Sequence, residues 1–300
     1  MVKLRHFFHP IKSAKGLFRR GREAYYRRLG ERFEATVPRR DVNQCWCGGS
    51  LLPITGIAQY GACESCGCYV NRRPPTSESL KEIYSLDNYW RVRQRLMGVP
   101  PIEKRADFYR DDGRIGYWLN LIEQYGPTSG TVIEIGCAPG ALLSELERRG
   151  FDCIGVEADA SVADWIRRNA EVKVEEGLFP WLELPSCDLF LAFDVAEHTS
   201  DPIAFWVGIA NSLKPGGKAI IQTPIEYSDY AYPFKTRREF FDGLEHLYLY
   251  TDTSVRKLAQ LANLELTTLG DAKGGYLSQL CILSKSANNI SQEQSLRTQS

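Results

Sequence analysis

The 300-residue chain predicts an α/β fold: a mostly parallel sheet covered by helices on both faces, with a small cysteine-rich module in front. Three observations carry this. From residue 131 onward, short β-branched runs alternate with helical patterns, as strand–helix–strand units require. One of those runs ends in a glycine turn that opens directly into an amphipathic helix. Five of the nine cysteines crowd into residues 45–68.

Taken in order, residues 1–40 form a basic extension with twelve Lys/Arg against three Glu, in a chain whose net charge is zero. The periodicity there allows a helix over 17–35. Residues 41–75 are the cysteine module, and residues 76–128 a helical linker with helices over 77–86 and 104–125. The main domain is expected over 129–286. Its strands fall near 131–136, 152–157, 172–176, 187–193, 218–223, 264–269 and 279–285, and its helices near 140–149, 161–169, 202–213 and 251–262. The last two strands share only a short Gly-rich link, so they pair antiparallel. The polar tail 287–300 is expected to be disordered.

Composition bounds the function. No apolar run reaches the ~20 residues of a membrane helix, and no secretory signal follows the basic N-terminus. The expected location is cytoplasmic. Residues 1–35 interleave Phe, Leu and Tyr with Arg and Lys. They can pack on the module with a solvated basic face, lie on the inner face of an anionic membrane, or grip RNA phosphates.

The stretch "TVIEIGCAPGALLSELERRG", 131–150, holds the central motif. Gly136 permits a sharp turn at the strand's C-terminal end. Gly140 lets a ligand or a strand approach the start of the next helix, whose free N–H groups face the crevice. About twenty residues later Glu157 ends the second strand, followed by Ala158. A carboxylate there can accept hydrogen bonds from a ribose diol. A dinucleotide site asks for G-x-G-x-x-G open to a pyrophosphate. Here Glu134 lies two residues before Gly136, and Pro139 removes a backbone donor. A cationic, zwitterionic nucleoside suits Glu134 better.

These residues resemble the class I S-adenosylmethionine-dependent methyltransferases. Their first motif is acidic-x-Gly-x-Gly-x-Gly, here "EIGCAPG" with Ala138 at the middle glycine. "CDLFLAFDVAEHTSDP", "LKPGGKAIIQTP" and "EHLYLYTDTSVRKLAQLANLEL" follow in the family's order, over roughly residues 104–285. The resemblance implies a Rossmann-like seven-stranded sheet of order 3-2-1-4-5-7-6 with strand 7 antiparallel. It implies that Glu134 and the backbone of Gly136, Cys137, Ala138 and Gly140 face the methionine part of S-adenosylmethionine. Glu157 would hold the ribose, with Phe193 and Asp194 flanking the site. The Asp that many relatives place after strand three is missing, leaving backbone groups and Leu178 or Phe179 for the adenine.

"FDVAEHTSDP" puts Glu197 and His198 beside the transferred methyl group. His198 can act as base toward a hydroxyl acceptor. Alternatively, a helical turn gathering Asp194, Glu197 and His198, with His246 from a later loop, could hold a divalent metal. The pair can also simply order the loop. The aromatic segment "PIEYSDYAYPFKTRREFFDGLEH" reads as an acceptor-binding lid or as packing, with Arg237 and Arg238 placed to meet an acidic acceptor or solvent.

In the module, "CWCGG" and "CESCGC" read as two zinc knuckles with Cys45, Cys47, Cys63 and Cys66 as ligands and Cys68 as a substitute. Four thiolates leave no open position, so the zinc would be structural. The segment also resembles a short zinc-ribbon module found in front of some methyltransferases of this class. The expected function is O-methylation of a small molecule or cell-surface glycan precursor. The alternatives are an RNA methyltransferase and a binding protein that keeps the fold without the activity.

Overall fold

The computed structural model describes residues 36–96, 98–224, 241, 243–271 and 278–287. The basic segment 1–35, the aromatic segment 225–240 and the tail 288–300, each with an expectation above, lie outside the described residues.

The main domain is a seven-stranded sheet. Its strands are β4 (Thr131–Ile135), β5 (Asp152–Glu157), β6 (Val174–Glu176), β7 (Cys187–Phe193), β8 (Leu213–Pro224), β10 (Leu264–Asp271) and β11 (Ser278–Lys285). The spatial order is β10-β11-β8-β7-β4-β5-β6. Renumbered within the sheet, this is 3-2-1-4-5-7-6. β4 pairs parallel with β5 and β7, and β7 parallel with β8, while β11 runs antiparallel to β8 and to β10.

Successive side chains of each strand enter opposite cores, as the two-residue period demands. Ile133, Ile135, Phe190 and Ala192 join one cluster with Phe205, Trp206 and Ile209 of the helix Pro202–Ser212 and Val255 and Leu258 of the helix Asp252–Leu261. Val132, Leu189 and Leu191 join the other, with Trp118 and Leu121 of the helix Arg114–Tyr125, Leu143 of Ala141–Glu147 and Ile166 of Ala160–Asn169. Both faces are covered, which is why the strands read as continuous apolar runs. The order of strand succession reverses between the parallel neighbours β4 and β7, opening a crevice at their carboxyl ends.

The cysteine segment supplies β1 (Leu51–Pro53), β2 (Tyr60–Cys63) and β3 (Tyr69–Asn71). Its fourth strand, β9 (Tyr248–Leu249), comes from far along the chain and pairs antiparallel with β3. The module is therefore stitched to the main domain by its own sheet.

One expected helix divides. The helix expected over 104–125 is two helices, Arg105–Asp111 and Arg114–Tyr125, broken at Gly113 with φ 85°. The "DDG" sequence there is a helix stop. Gly140, at φ 82°, is also tightly packed: a Cβ there would stand 2.7 Å from Ala170 Cβ and from Ile166 Cγ2. No helix of the described residues is long and apolar enough to cross a membrane.

Candidate functional site

A cleft of about 950 Å³ opens at the carboxyl ends of β4, β5 and β7. That is the upper end of the ~300–1,000 Å³ range for small-molecule sites. Gly136, at φ 67°, turns the chain off β4; a Cβ there would lie 2.8 Å from Val195 Cγ2. Cys137 lines the cleft with its backbone while its sulfur packs over Gly155, where an added Cβ would stand 2.5 Å away.

Glu134 is buried at 5% exposure, and its Oε2 has no hydrogen-bond partner. Burial, and secondarily the nearby Glu157, pushes its carboxyl well above the usual carboxylate range. An unmatched carboxyl in this position costs free energy unless a cation meets it. Glu157, half-buried at the end of β5, accepts from the Ala158 backbone N–H at 3.1 Å. Enclosure by the cleft pushes its pKa up to about 7. Both carboxyl groups line the cleft, and groups of this kind can meet an ammonium and a ribose diol. The donor set therefore fits S-adenosylmethionine.

Phe193 stacks on Trp118 at 4.6 Å between ring centroids, inclined by 20°. Asp194 follows in the left-handed region at φ 57°. It is held by its backbone N–H to Gln222 O at 2.8 Å and by Gln222 Nε2 to its carboxylate at 3.2 Å. Of the two apolar residues weighed for the adenine, Leu178 is 53% exposed and lines the cleft. Phe179 also borders it but is buried against Phe190 and Phe205. Trp181, 68% exposed on the same rim, was not anticipated from sequence.

Ala196–His198 forms one 3-10 turn. Glu197 is fully buried: Oε2 accepts from the Thr223 hydroxyl at 2.9 Å, and Oε1 lies 3.6 Å from His198 Nε2. His198 Nδ1 lies 2.9 Å from the Glu245 carbonyl oxygen and 2.8 Å from the Tyr84 hydroxyl. A carbonyl only accepts, so Nδ1 carries a proton, while Nε2 lies beyond hydrogen-bond distance of Glu197 Oε1. Ligand atoms of Glu197, His198 and His246 come within 4.8 Å of one another, close enough to share a cation. Asp194 is not in that group, because its positive φ takes it out of the 3-10 turn.

Sequence reasoning missed the outer wall, built from the segment read as a linker. Tyr84 reaches His198, Arg93 pairs with Glu245, and Trp90, Arg105, Tyr109 and Trp118 line the cleft. The interleaving of Arg with Trp and Tyr in "NYWRVR" and "RADFYRDDGR" was the available signal.

The four knuckle cysteines form a second centre. Cys45 and Cys66 sulfurs lie 3.6 Å apart, Cys47 and Cys63 sulfurs 3.5 Å, and all four fall within 4.8 Å. A tetrahedron with ~2.3 Å zinc–sulfur bonds has edges of ~3.8 Å, so the set fits zinc. Cys68 lies apart from this group of four: its sulfur donates to the Leu249 carbonyl at 3.4 Å.

The comparisons agree with this geometry. A family profile described as "Methyltransferase domain" matches residues 109–269. The ubiquinone biosynthesis O-methyltransferase of Acinetobacter baylyi is 27% identical over 116 residues, 35% of this chain and 49% of that one. The chain spans 39 to 49% of the length of the curated relatives it matches. Human N-acetylserotonin methyltransferase, solved with its S-adenosylmethionine, aligns with a TM-score of 0.50 at 16% identity, over 62% of this chain and 55% of that one. Mitomycin 7-O-methyltransferase aligns at 0.51 and 14%, over 65% and 57%. With more than half of its length inside the family profile and with this strand order, the chain belongs to the methyltransferase domain family and has the class I S-adenosylmethionine-dependent fold.

Proposed function

We propose that the protein transfers the methyl group of S-adenosylmethionine to an oxygen of a small-molecule acceptor. The observation that carries this is the pair Glu134 and Glu157 at the ends of adjacent strands, one with an unmatched buried oxygen. Bound S-adenosylmethionine supplies a methyl group on a positively charged sulfur. Glu134 meets the ammonium, Glu157 accepts from the ribose hydroxyls, and Leu178 with Trp181 flanks the adenine. The backbone of Gly136, Cys137 and Ala138, with Phe193 and Asp194, closes the methionine end.

His198 Nε2 is placed to accept the proton of an acceptor hydroxyl, and Glu197 Oε1 beside it orients the imidazole and balances its charge. The surrounding wall excludes water while the hydroxyl is lined up. Similarity to ubiquinone O-methyltransferases supports a small oxygen acceptor over a glycan precursor. The basic segment that suggested RNA lies outside the described residues.

The cysteine centre holds one structural zinc. A second reading, favoured by the 4.8 Å grouping, has Glu197, His198 and His246 binding a divalent cation that orients the acceptor. Elemental analysis separates the two: one zinc per chain supports His198 as base, and a further metal lost in His246→Ala supports the cation. Calorimetric titration with S-adenosylhomocysteine tests the main proposal, and acceptor screening by mass seeks a gain of one methyl. A protein that binds a dinucleotide instead sinks it.

A further inference from the structure

Arg105 opens the helix Arg105–Asp111 in the cleft's outer wall and is only 3% exposed. One of its Nη atoms donates to Gln94 Oε1 at 2.8 Å, while its Nε has no hydrogen-bond partner. Among the described residues no carboxylate pairs with it. Instead its guanidinium faces the rings of Trp90 at 5.4 Å, Tyr109 at 5.5 Å and Phe108 at 5.9 Å. Aromatic faces recover part of the lost hydration, but a buried cation with a neutral acceptor and an idle donor is an incomplete site. A guanidinium does not escape by losing its proton.

Arg114 makes a useful contrast. It ion-pairs with Asp112 at 3.4 Å and lies over Tyr109 at 4.5 Å and Trp118 at 5.9 Å. Trp118 stacks on Phe193, and the Arg114 charge is felt at Asp194, so this arginine addresses the strand ends where the cofactor sits. Arg105 touches Tyr109 too, but its other ring contacts are Trp90 and Phe108 rather than Trp118. The cleft thus carries one guanidinium over Tyr109 and Trp118 and another in a box of Trp90, Phe108 and Tyr109.

We propose that Arg105 anchors an anionic group of the methyl acceptor, and that the acceptor is an aromatic acid: a ring bearing a carboxylate or phosphate ester. The planar fork of the guanidinium matches such oxyanions, and the surrounding rings match an aromatic body. A neutral acceptor would leave the buried charge unanswered. This rests on the methyltransferase reading above.

The test uses full-length protein saturated with S-adenosylhomocysteine, titrated with 3,4-dihydroxybenzoate, 4-hydroxybenzoate and phenyl phosphate, each beside a neutral counterpart (the benzamides and phenol). Calorimetry and tryptophan fluorescence report binding, since Trp90 and Trp118 line the wall. The expected result is that at least one acid binds about 10- to 100-fold more tightly than its neutral counterpart. Arg105→Gln abolishes that preference and leaves S-adenosylhomocysteine affinity within about threefold. Arg105→Lys keeps the charge without the fork and weakens the acid about tenfold.

Equal binding of every acid and its neutral counterpart by wild type overturns the proposal. So does a preference that survives in Arg105→Gln, or acid binding unchanged in Arg105→Lys should the Gln variant not fold. Weakened S-adenosylhomocysteine with unchanged 5′-methylthioadenosine, which lacks the amino-acid carboxylate, gives Arg105 to the cofactor and also overturns it. Wild type that binds no S-adenosylhomocysteine removes the parent reading, and this one with it; cofactor binding without acid preference removes this one alone.

Discussion

The seven-stranded sheet opens the cleft and the cysteine module backs the segment beside it, but the two are ordered by different means. The sheet buries aliphatic side chains on two faces, with Ile133, Leu189, Leu191 and Ile220 essentially sealed from solvent. The module has strands of three or four residues. Its interior is largely sulfur, with Cys45, Cys63, Cys66 and Cys68 beside Val70 and Tyr60. So small a core gives little burial, and the thiolate cluster stands in for it. The difference teaches a division of labour. The sheet positions the carboxyl groups of the cleft; the module steadies the segment that carries His246, which under the proposed function completes the acceptor side. Asn71 N–H bonds to Leu247 O, Leu247 N–H to Glu197 O, and the Tyr60 hydroxyl to His246 O at 2.6 Å.

The sharpest way to break this division is to remove the zinc proposed for the four cysteines. Cys63→Ser, or a strong chelator, is expected to abolish turnover by more than about 100-fold while S-adenosylhomocysteine affinity falls less than about tenfold. Equal losses of both would show that the two regions are one cooperative unit. His198→Ala should lower turnover about 10²- to 10⁴-fold with cofactor affinity unchanged.

On the sheet side, Glu157→Ala should weaken the cofactor about 10- to 100-fold in calorimetry. pH sharpens the point. The Glu157 carboxyl is raised to about 7 in the free cleft, and the ribose hydroxyls donate to its ionised form. Affinity should therefore rise as pH climbs through 7, with a proton released on binding, and the slope should vanish in Glu157→Gln. Stability of the unliganded protein has the opposite sign. A raised carboxyl favours the folded state below the unfolded value of about 4.5, and that contribution is lost as pH rises through about 7.

Gly140→Ala probes packing instead. A positive φ and a 2.7 Å overlap with Ala170 and Ile166 should cost about 1–3 kcal/mol, read as a lowered Tm with little change in residual cofactor affinity. Trp181→Ala, at the exposed rim, should cost the least, about three- to tenfold in cofactor affinity.

Much of the fold was legible because its signals are local. The β-branched runs, the turn at Gly136 and the paired knuckles each announce themselves within a dozen residues. The carboxylates Glu134 and Glu157 were placed by their spacing from that turn. The outer wall was not legible, because its contacts join distant segments: 114 positions separate Tyr84 from His198, and 152 separate Arg93 from Glu245. No period in the sequence records such a meeting. The His198 tautomer depends on a backbone carbonyl, which carries no side-chain signature at all. Gly140 was read as a point where a ligand or a strand comes close, and nothing in the local pattern showed that Ile166 and Ala170, near the end of a helix, crowd it.

The pairing of β3 with β9 also has a consequence for biosynthesis. Cys68 and Leu249 lie 181 positions apart. On the ribosome the cysteine segment emerges early, with one strand edge waiting for a mate still to be translated. An unsatisfied edge of that kind invites the wrong neighbour. The module's sheet thus stays incomplete until Tyr248 and Leu249 have been made.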